Sequence, residues 1–212
     1  WASFVGGSGE DPAYTIKLDS ENKLWVAGGT ASSDFATTTG VYKMTYGGNV
    51  DGWIANIEND GSALIAATFV GTTSYDQVYF LDLNKNDEVY VYGQTAGNIP
   101  VSPGVYSNTN SGQFLQKFSK DLTTLNLSTV FGSRRGAPDI SPTAFLVNDC
   151  NNIYMTGWGG AINHNINIPL MLGSSTIGMP TTADAFQSTT SGSDFYFIVL
   201  TDDASEFLYG TF

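Results

Sequence analysis

Apolar and polar residues alternate along this chain in runs of about five to nine residues, separated by Asp, Asn, Gly and Ser. No run keeps apolar residues at spacings of three and four over a dozen positions, so the pattern predicts almost no helix. The first group of runs predicts four strands, joined by tight turns at 19–22 and 58–61 and a long loop between the second and third. These strands are predicted at 14–18, 23–28, 52–57 and 62–70.

The same landmarks return twice in the same order. "LWVAGGT" at 24–30 matches "VYVYGQT" at 89–95 and "IYMTGWG" at 153–159, which places Gly28, Gly93 and Gly157 at intervals of 65 and 64 residues. "TFVG" at 68–71 likewise matches "SFVG" at 3–6 and "TVFG" at 129–132. A shared order of landmarks at one period indicates stacked or radially arranged units.

Four-stranded antiparallel units at a fixed period predict the blades of a β-propeller. We assign residues 8–71 to blade 1, 72–132 to blade 2, and 133–212 to blade 3, which carries an insertion at 161–178. Residues 1–7 match an outermost strand whose own blade is missing.

Each long loop carries a pair of apolar residues seven positions apart. We call the first residue of each pair the first anchor and the other the second anchor. A loop of about twenty residues would drift unless it were pinned, so the anchors are interpreted as structural. The pairs are Phe35 and Tyr42, Ile99 and Tyr106, and Met179 and Phe186.

Three blades are too few for a propeller, which has about four to eight. We therefore expect a fragment of a larger propeller, completed by additional blades or domains of the same polypeptide. A self-contained arc of three units is the alternative, and its ends would leave sheet faces unpaired. Because the chain begins at Trp1 without Met or a signal-peptide pattern, we expect a processed or excised piece.

Several segments together resemble the bacterial β-propeller repeat family called SBBP. They are "WASFVGG" (1–7), "LDSENKLWVAGGT" (18–30), "FATTTGVY" (35–42), "TYGGNVDGWIANI" (45–57), "PTTADAFQSTTSGSDFYFIVL" (180–200) and "FLYGTF" (207–212). The resemblance covers essentially the whole chain and is specific for fold. Unit 2 departs from it, because "SGQF" lacks the Asp that precedes the third strand.

The resemblance implies a secreted or cell-surface protein on the exterior of a Gram-negative bacterium. "CNNIYMTGWGG" (150–160) is similar to long Bacteroidetes surface proteins with PKD-type domains and gliding-motility or type IX secretion signals. The resemblance to this repeat family implies no catalytic residues.

The charge balance excludes two classes of partner. Eight basic and twenty acidic residues give a net charge of −12, which disfavours nucleic acid and anionic membranes. No run of eighteen apolar residues is present, so we expect no membrane insertion. The lone Cys150 is interpreted as buried or paired outside this segment.

The insertion in unit 3 is the best lead to a binding site. In a propeller its loop shares a face with the crossover 132–141, so guanidinium, indole and amide groups would meet there. Such groups bind carboxylates or sugars. The alternative is a surface loop that covers a gap between blades. The candidates are Arg134, Arg135, Trp158, Asn163, His164 and Asn165.

Metal and cofactor chemistry has little support in the sequence. His164 is the only His and has only amides nearby, so zinc is not expected. The turn 19–22 could offer oxygen ligands to Ca²⁺, but an ordinary hairpin turn explains it. Asp202 and Asp203 lie in another such turn. We therefore expect no cofactor.

The leading hypothesis is a non-catalytic module for display, adhesion or interaction with a protein or glycan at the cell surface. One alternative is a polysaccharide-acting enzyme with acids at the central channel. The first strands that would line this channel carry only Lys17 and Asp82 as charges, which argues against hydrolysis. The other alternative is a structural subunit of a secretion or gliding-motility assembly.

Overall fold

The computed structural model describes residues 1–160 and 174–212. The regular secondary structure of these residues consists of strands alone, and they contain no helix that could cross a membrane. The twelve strands are β1 (Ala13–Leu18), β2 (Leu24–Thr30), β3 (Asp51–Ile57), β4 (Leu64–Val70), β5 (Asp76–Leu83), β6 (Val89–Thr95), β7 (Gln113–Phe118), β8 (Leu125–Phe131), β9 (Ser141–Val147), β10 (Ile153–Trp158), β11 (Phe195–Leu200) and β12 (Phe207–Thr211).

The strands form three four-stranded antiparallel sheets, each in chain order. Sheet 1 holds β1–β4, sheet 2 holds β5–β8 and sheet 3 holds β9–β12. The predicted all-β class and the three four-stranded units are thus confirmed. Residues 1–7 form no strand here, and their role in a neighbouring blade stays a prediction.

One register is repeated in all three sheets. The repeat glycines Gly28, Gly93 and Gly157 pair across the first strand with Ala13, Val78 and Pro142. In each sheet the next first-strand residue is skipped in the pairing, which makes a β-bulge. The bulged residues are Tyr14, Tyr79 and Thr143.

The bulge explains why glycine recurs at this place. At each repeat glycine an added Cβ would lie under 3.0 Å from the backbone carbonyl of a residue in the first strand or just before it. Only glycine allows so close an approach of two backbones. The carbonyls belong to Pro12, Gln77 and Ser141.

Two apolar cores lie between consecutive sheets. The first joins sheets 1 and 2 and includes Trp25, Ile54 and Phe118, all fully buried. The second joins sheets 2 and 3 and includes Tyr90 and Tyr196. The first strand of sheet 2, β5, contacts both β1 and β9. The sheets therefore pack face to face in chain order, with their first strands adjacent.

Each long loop is attached to its own sheet at its first anchor and just after it. Phe35, Ile99 and Met179 are all buried. Three positions after each first anchor, a backbone N–H donates a hydrogen bond to the fourth strand of the same sheet. The pairs are Thr38 with the Ala67 carbonyl, Ser102 with Ser128, and Thr182 with Gly210.

The second anchors reach a different sheet. The Tyr42 N–H donates to the Leu122 carbonyl in sheet 2, and its ring packs edge-on against Phe118. The Tyr106 N–H donates to the Ala204 carbonyl in sheet 3, and its ring stacks on Phe207. Phe186 has no following sheet among the described residues, and its side chain is 90% exposed.

Candidate functional site

An aspartate organises each crossover into a first strand. Asp11, Asp76 and Asp139 each accept a hydrogen bond from a backbone N–H at the start of the crossover, from Gly7, Thr72 and Ser133 respectively. Burial raises the pKa of both Asp76 and Asp139, and the hydrogen bonds that each accepts oppose this shift. The crossovers are therefore built turns with internal partners.

The predicted arginine pair is divided between two environments. Arg135 Nε donates to the fully buried Asp139 carboxylate at 2.8 Å, so this guanidinium stabilises its own crossover. Arg134 is exposed, and its backbone has a φ of 67°. Asn110 donates to the Arg134 carbonyl at 2.9 Å, which fixes this turn. Arg134 is therefore the more exposed of the two arginines, while the Arg135 side chain is 25% exposed.

The other predicted rim residues lie at or near the insertion. Trp158 is the last residue of β10, half-buried and paired across the ladder with Phe195 and Ser141. The described end of the insertion packs on the crossover, because Ser174 Oγ donates to the Asp139 carbonyl at 2.7 Å. Asn163, His164 and Asn165 lie outside the described residues.

The opposite ends of the first strands carry hairpin turns of one design. Asp19 Oδ1 accepts from the N–H groups of Glu21 and Lys23, and the Asn84 and Asn148 side chains do the same in their turns. Asp19 Oδ2 accepts from the Trp25 indole N–H, so both Asp19 oxygens have hydrogen-bond donors within sheet 1. No cluster of three metal-ligating side chains occurs among residues 1–160 and 174–212.

Cys150 lies in the third of these turns and is exposed. The prediction that it could be buried is therefore wrong, because the turn places its side chain at the surface. Asp203 closes a turn between β11 and β12 by accepting from the Ser205 N–H. That bond is the main reason that the pKa of Asp203 is lowered to about 2. Asp202 instead binds sheet 2, through Lys117 and the Tyr90 hydroxyl.

The two charges that the sequence placed on the first strands, Lys17 and Asp82, are paired with each other. Lys17 Nζ lies 3.0 Å from Asp82 Oδ1. Asp82 Oδ2 accepts a 2.9 Å hydrogen bond from the Val147 N–H. Both carboxylate oxygens therefore tie first strands together, and neither is directed to a substrate.

A cluster of tyrosines at the first strands was not predicted from the sequence. The rings of Tyr14 and Tyr79 stack with centroids 5.1 Å apart and planes 15° apart. Both are the bulged residues of their strands, so the same irregularity that demands the repeat glycine also places these rings together. Tyr14 is 44% exposed.

Polar partners complete the tyrosine cluster. The Tyr75 hydroxyl lies near enough to Tyr79, and the Gln77 amide near enough to Tyr14, to influence the pKa of each phenol. Burial raises the pKa of all three phenols, so each is neutral at physiological pH. Gln77 is buried and Tyr75 and Tyr79 are half-buried, so the open part of the cluster is the Tyr14 ring, with neutral phenol hydroxyls nearby. We call Tyr14, Tyr75, Gln77 and Tyr79 the tyrosine platform.

A sequence signal for the platform was present. Tyr14 and Tyr79 each lie fourteen positions before the repeat glycine of their unit. The signal was missed because a bulge shifts side-chain direction by one residue, and alternation alone does not reveal it.

Comparison of the chain with known protein-family models and with curated proteins finds no match.

Proposed function

We propose that the chain is an arc of a β-propeller that serves as a non-catalytic binding module and takes a neutral carbohydrate on the tyrosine platform. Its place is outside the cell or on the cell surface. That location rests on the resemblance of the repeat to secreted bacterial propellers.

The observation that carries the proposal is the nearly parallel pair Tyr14 and Tyr79, with Tyr14 open to solvent. An exposed aromatic ring with neutral hydroxyls nearby suits a sugar ring, whose C–H face stacks on an aromatic ring while its hydroxyls exchange hydrogen bonds. The net charge of −12 favours a neutral or cationic ligand over an anionic one.

The hydrolase alternative has weaker support. A glycosidase needs two carboxyl groups that flank the scissile bond. Asp82, the only acid that the sequence placed on the channel side, is used by Lys17 and the Val147 N–H. The acids at the crossovers, such as Asp139, are held by groups of their own turn.

A glycan array followed by titration of the best ligand tests the proposal. We expect binding by the wild-type chain, and a loss of affinity of about tenfold for Tyr14→Ala, since truncation of an aromatic anchor commonly costs this much. Tyr14→Phe keeps the ring and should lose less. Phe4→Ala, which truncates another exposed ring, is the matched control and should bind as wild type.

Two results would contradict the proposal. The first is wild-type chain that binds no glycan. The second is binding that survives Tyr14→Ala. If Trp158→Ala rather than Tyr14→Ala abolished binding, the ligand would lie at the rim beside the insertion.

A further inference from the structure

At each end of the stack of described sheets, one sheet face has no neighbouring sheet. The equivalent faces of the other sheets are buried against a neighbour. We call the face that a sheet turns toward the following sheet its forward face, and the opposite face its rear face. On the forward face, Trp25 of sheet 1 and Tyr90 of sheet 2 are fully buried. The residue in the same register of sheet 3 is Tyr154, which is only half-buried.

The forward face of sheet 3 carries a row of aromatic rings. Tyr154 packs against Phe197 with centroids 6.1 Å apart, and Phe197 packs against Tyr209 at the same distance. Phe195, two residues from Phe197 on the same face, is 49% exposed. Phe186 lies beside this row, since its N–H donates to the Tyr209 hydroxyl at 3.0 Å, and no following sheet for it exists within residues 1–160 and 174–212.

The rear face of sheet 1 is the matching half of the same kind of interface. Leu24, Val26 and Ile57 are only partly buried there. Their register equivalents on the rear faces of sheets 2 and 3 are all buried: Val89, Val91 and Phe118, and Ile153, Met155 and Leu200. An apolar cavity of about 250 Å³ lies between this rear face and the N-terminal segment. Ile16, Leu24 and Val26 line it from the sheet, and Trp1, Ser3 and Val5 cover part of the face.

The turn that would receive a second anchor is also present on sheet 1. Tyr42 and Tyr106 dock on the turns at Leu122 and Ala204, which both have positive φ. The equivalent turn of sheet 1 ends at Gly61, with a φ of 74°. Trp1 lies against Gly61 and donates from its indole N–H to the Asn59 carbonyl at 2.7 Å. This turn therefore already accepts an aromatic ring.

We propose that a second copy of this chain docks on the forward face of sheet 3 with the rear face of its sheet 1, so that Phe186 of one copy seats on the Gly61 turn of the other. The arrangement repeats the interfaces between sheets 1 and 2 and between sheets 2 and 3. It rests on the proposed propeller architecture and not on the proposed ligand.

The number of units favours two copies. Contacts of this kind are head-to-tail, and they close only if the rotations complete a circle. The described residues of one copy form three units, fewer than a propeller ring holds, whereas those of two copies form six, within the usual range of about four to eight. Closure leaves neither half of the interface exposed. Docking requires that the N-terminal segment leave the rear face, Trp1 from the Gly61 turn and Val5 from the sheet.

Sedimentation velocity across a concentration series tests the proposal on the wild-type chain. We expect a monomer–dimer equilibrium with no larger species. Phe186→Asp should weaken association by at least about tenfold, because it places a charge at a buried anchor position. Ile177→Asp is the matched control: Ile177 is also exposed and apolar, but lies in the loop at 174–178, and its change should leave association unaltered.

A mixing experiment tests the head-to-tail geometry. Ile16 is 62% exposed and lines the rear-face cavity, so Ile16→Asp should break the other half of the interface without unfolding the chain. Phe186→Asp and Ile16→Asp should each be monomeric alone. Mixed together they should form a heterodimer, because one of the two interfaces is then intact.

A wild-type chain that stays monomeric throughout would overturn the proposal and favour further units of the same polypeptide as the occupant. Open-ended polymers would overturn the two-copy ring. A dimer that survives Phe186→Asp would place the interface elsewhere. Association and glycan binding are measured separately, so a negative result for one proposal does not contradict the other.

Discussion

The Lys17 ammonium on β1 lies 3.0 Å from a carboxylate oxygen of Asp82 on β5. The other carboxylate oxygen of Asp82 accepts the Val147 N–H of β9 at 2.9 Å. One side chain in the middle sheet thus joins the first strands of all three sheets, at the edge where these strands come together.

Removal of this carboxylate should cost more stability than removal of its cationic partner. In Asp82→Ala the buried Val147 N–H has lost its acceptor, which should lower the free energy of unfolding by about 1–3 kcal/mol. In Lys17→Met the lost partner is a half-exposed ammonium, and the loss should be about 0–1 kcal/mol. Urea denaturation of both variants measures the difference. Equal small losses would show that Asp82 does not join the strands.

Replacement of a repeat glycine, even by alanine, should destabilise the fold. In Gly93→Ala the new Cβ would press on the Gln77 carbonyl and the Phe114 ring, so we expect the free energy of unfolding to fall by about 1–3 kcal/mol. Gly104→Asn is the control, since that site is open and has a φ of 80°, which Asn tolerates better than other side chains. Its stability should change by less than about 0.5 kcal/mol. A tolerated Gly93→Ala would contradict the bulge at Tyr79.

The sheets could be predicted from the sequence because their determinants are local. Alternating residues with Asp, Asn and Gly between them define both the strands and the hairpin turns, and the threefold repetition of these signals fixes the number of units. The burial of Phe35, Ile99 and Met179 followed in the same way, since a long loop needs apolar attachment points.

Other features depend on neighbours that are distant in the chain. The docking of Tyr42 on Phe118 requires the position of the next sheet, which no local pattern gives. Arg135 was a ligand-binding candidate, yet Asp139 is four residues away and takes its guanidinium once the crossover bends back. The stacking of Tyr14 on Tyr79 depends on two bulges in different sheets. Such pairs form only when the sheets pack.

A pH titration can test the contact between sheets 1 and 2 at the hairpin turns. Lys120 in sheet 2 binds both Glu21 and Asp87, and its hydrogen bond is the main cause that lowers the pKa of Glu21 to about 2. In Lys120→Met, NMR titration should show the pKa of Glu21 raised part of the way to 4.5, its ordinary value, because Lys23 still contributes.

The sign of the effect on stability follows from the depressed pKa of Glu21. A carboxyl with a lowered folded-state pKa stabilises the protein above its unfolded value and loses that contribution as the pH falls toward about 2. The stability difference between wild type and Lys120→Met should therefore be larger at pH values above 4.5 than near pH 2. It should also shrink in high salt, because the pair is exposed. A difference independent of pH would contradict the contact.

The central claim is that each unit holds the next through its second anchor. The most direct test compares Tyr42→Ala, Tyr106→Ala and Phe186→Ala in urea denaturation, at a concentration where the wild-type chain is monomeric. We predict a loss of about 1–3 kcal/mol for each tyrosine, smaller for Tyr42, which is 40% exposed, than for the half-buried Tyr106. For Phe186, which is 90% exposed, the loss should be less than about 0.5 kcal/mol. Equal losses at all three positions would contradict the claim.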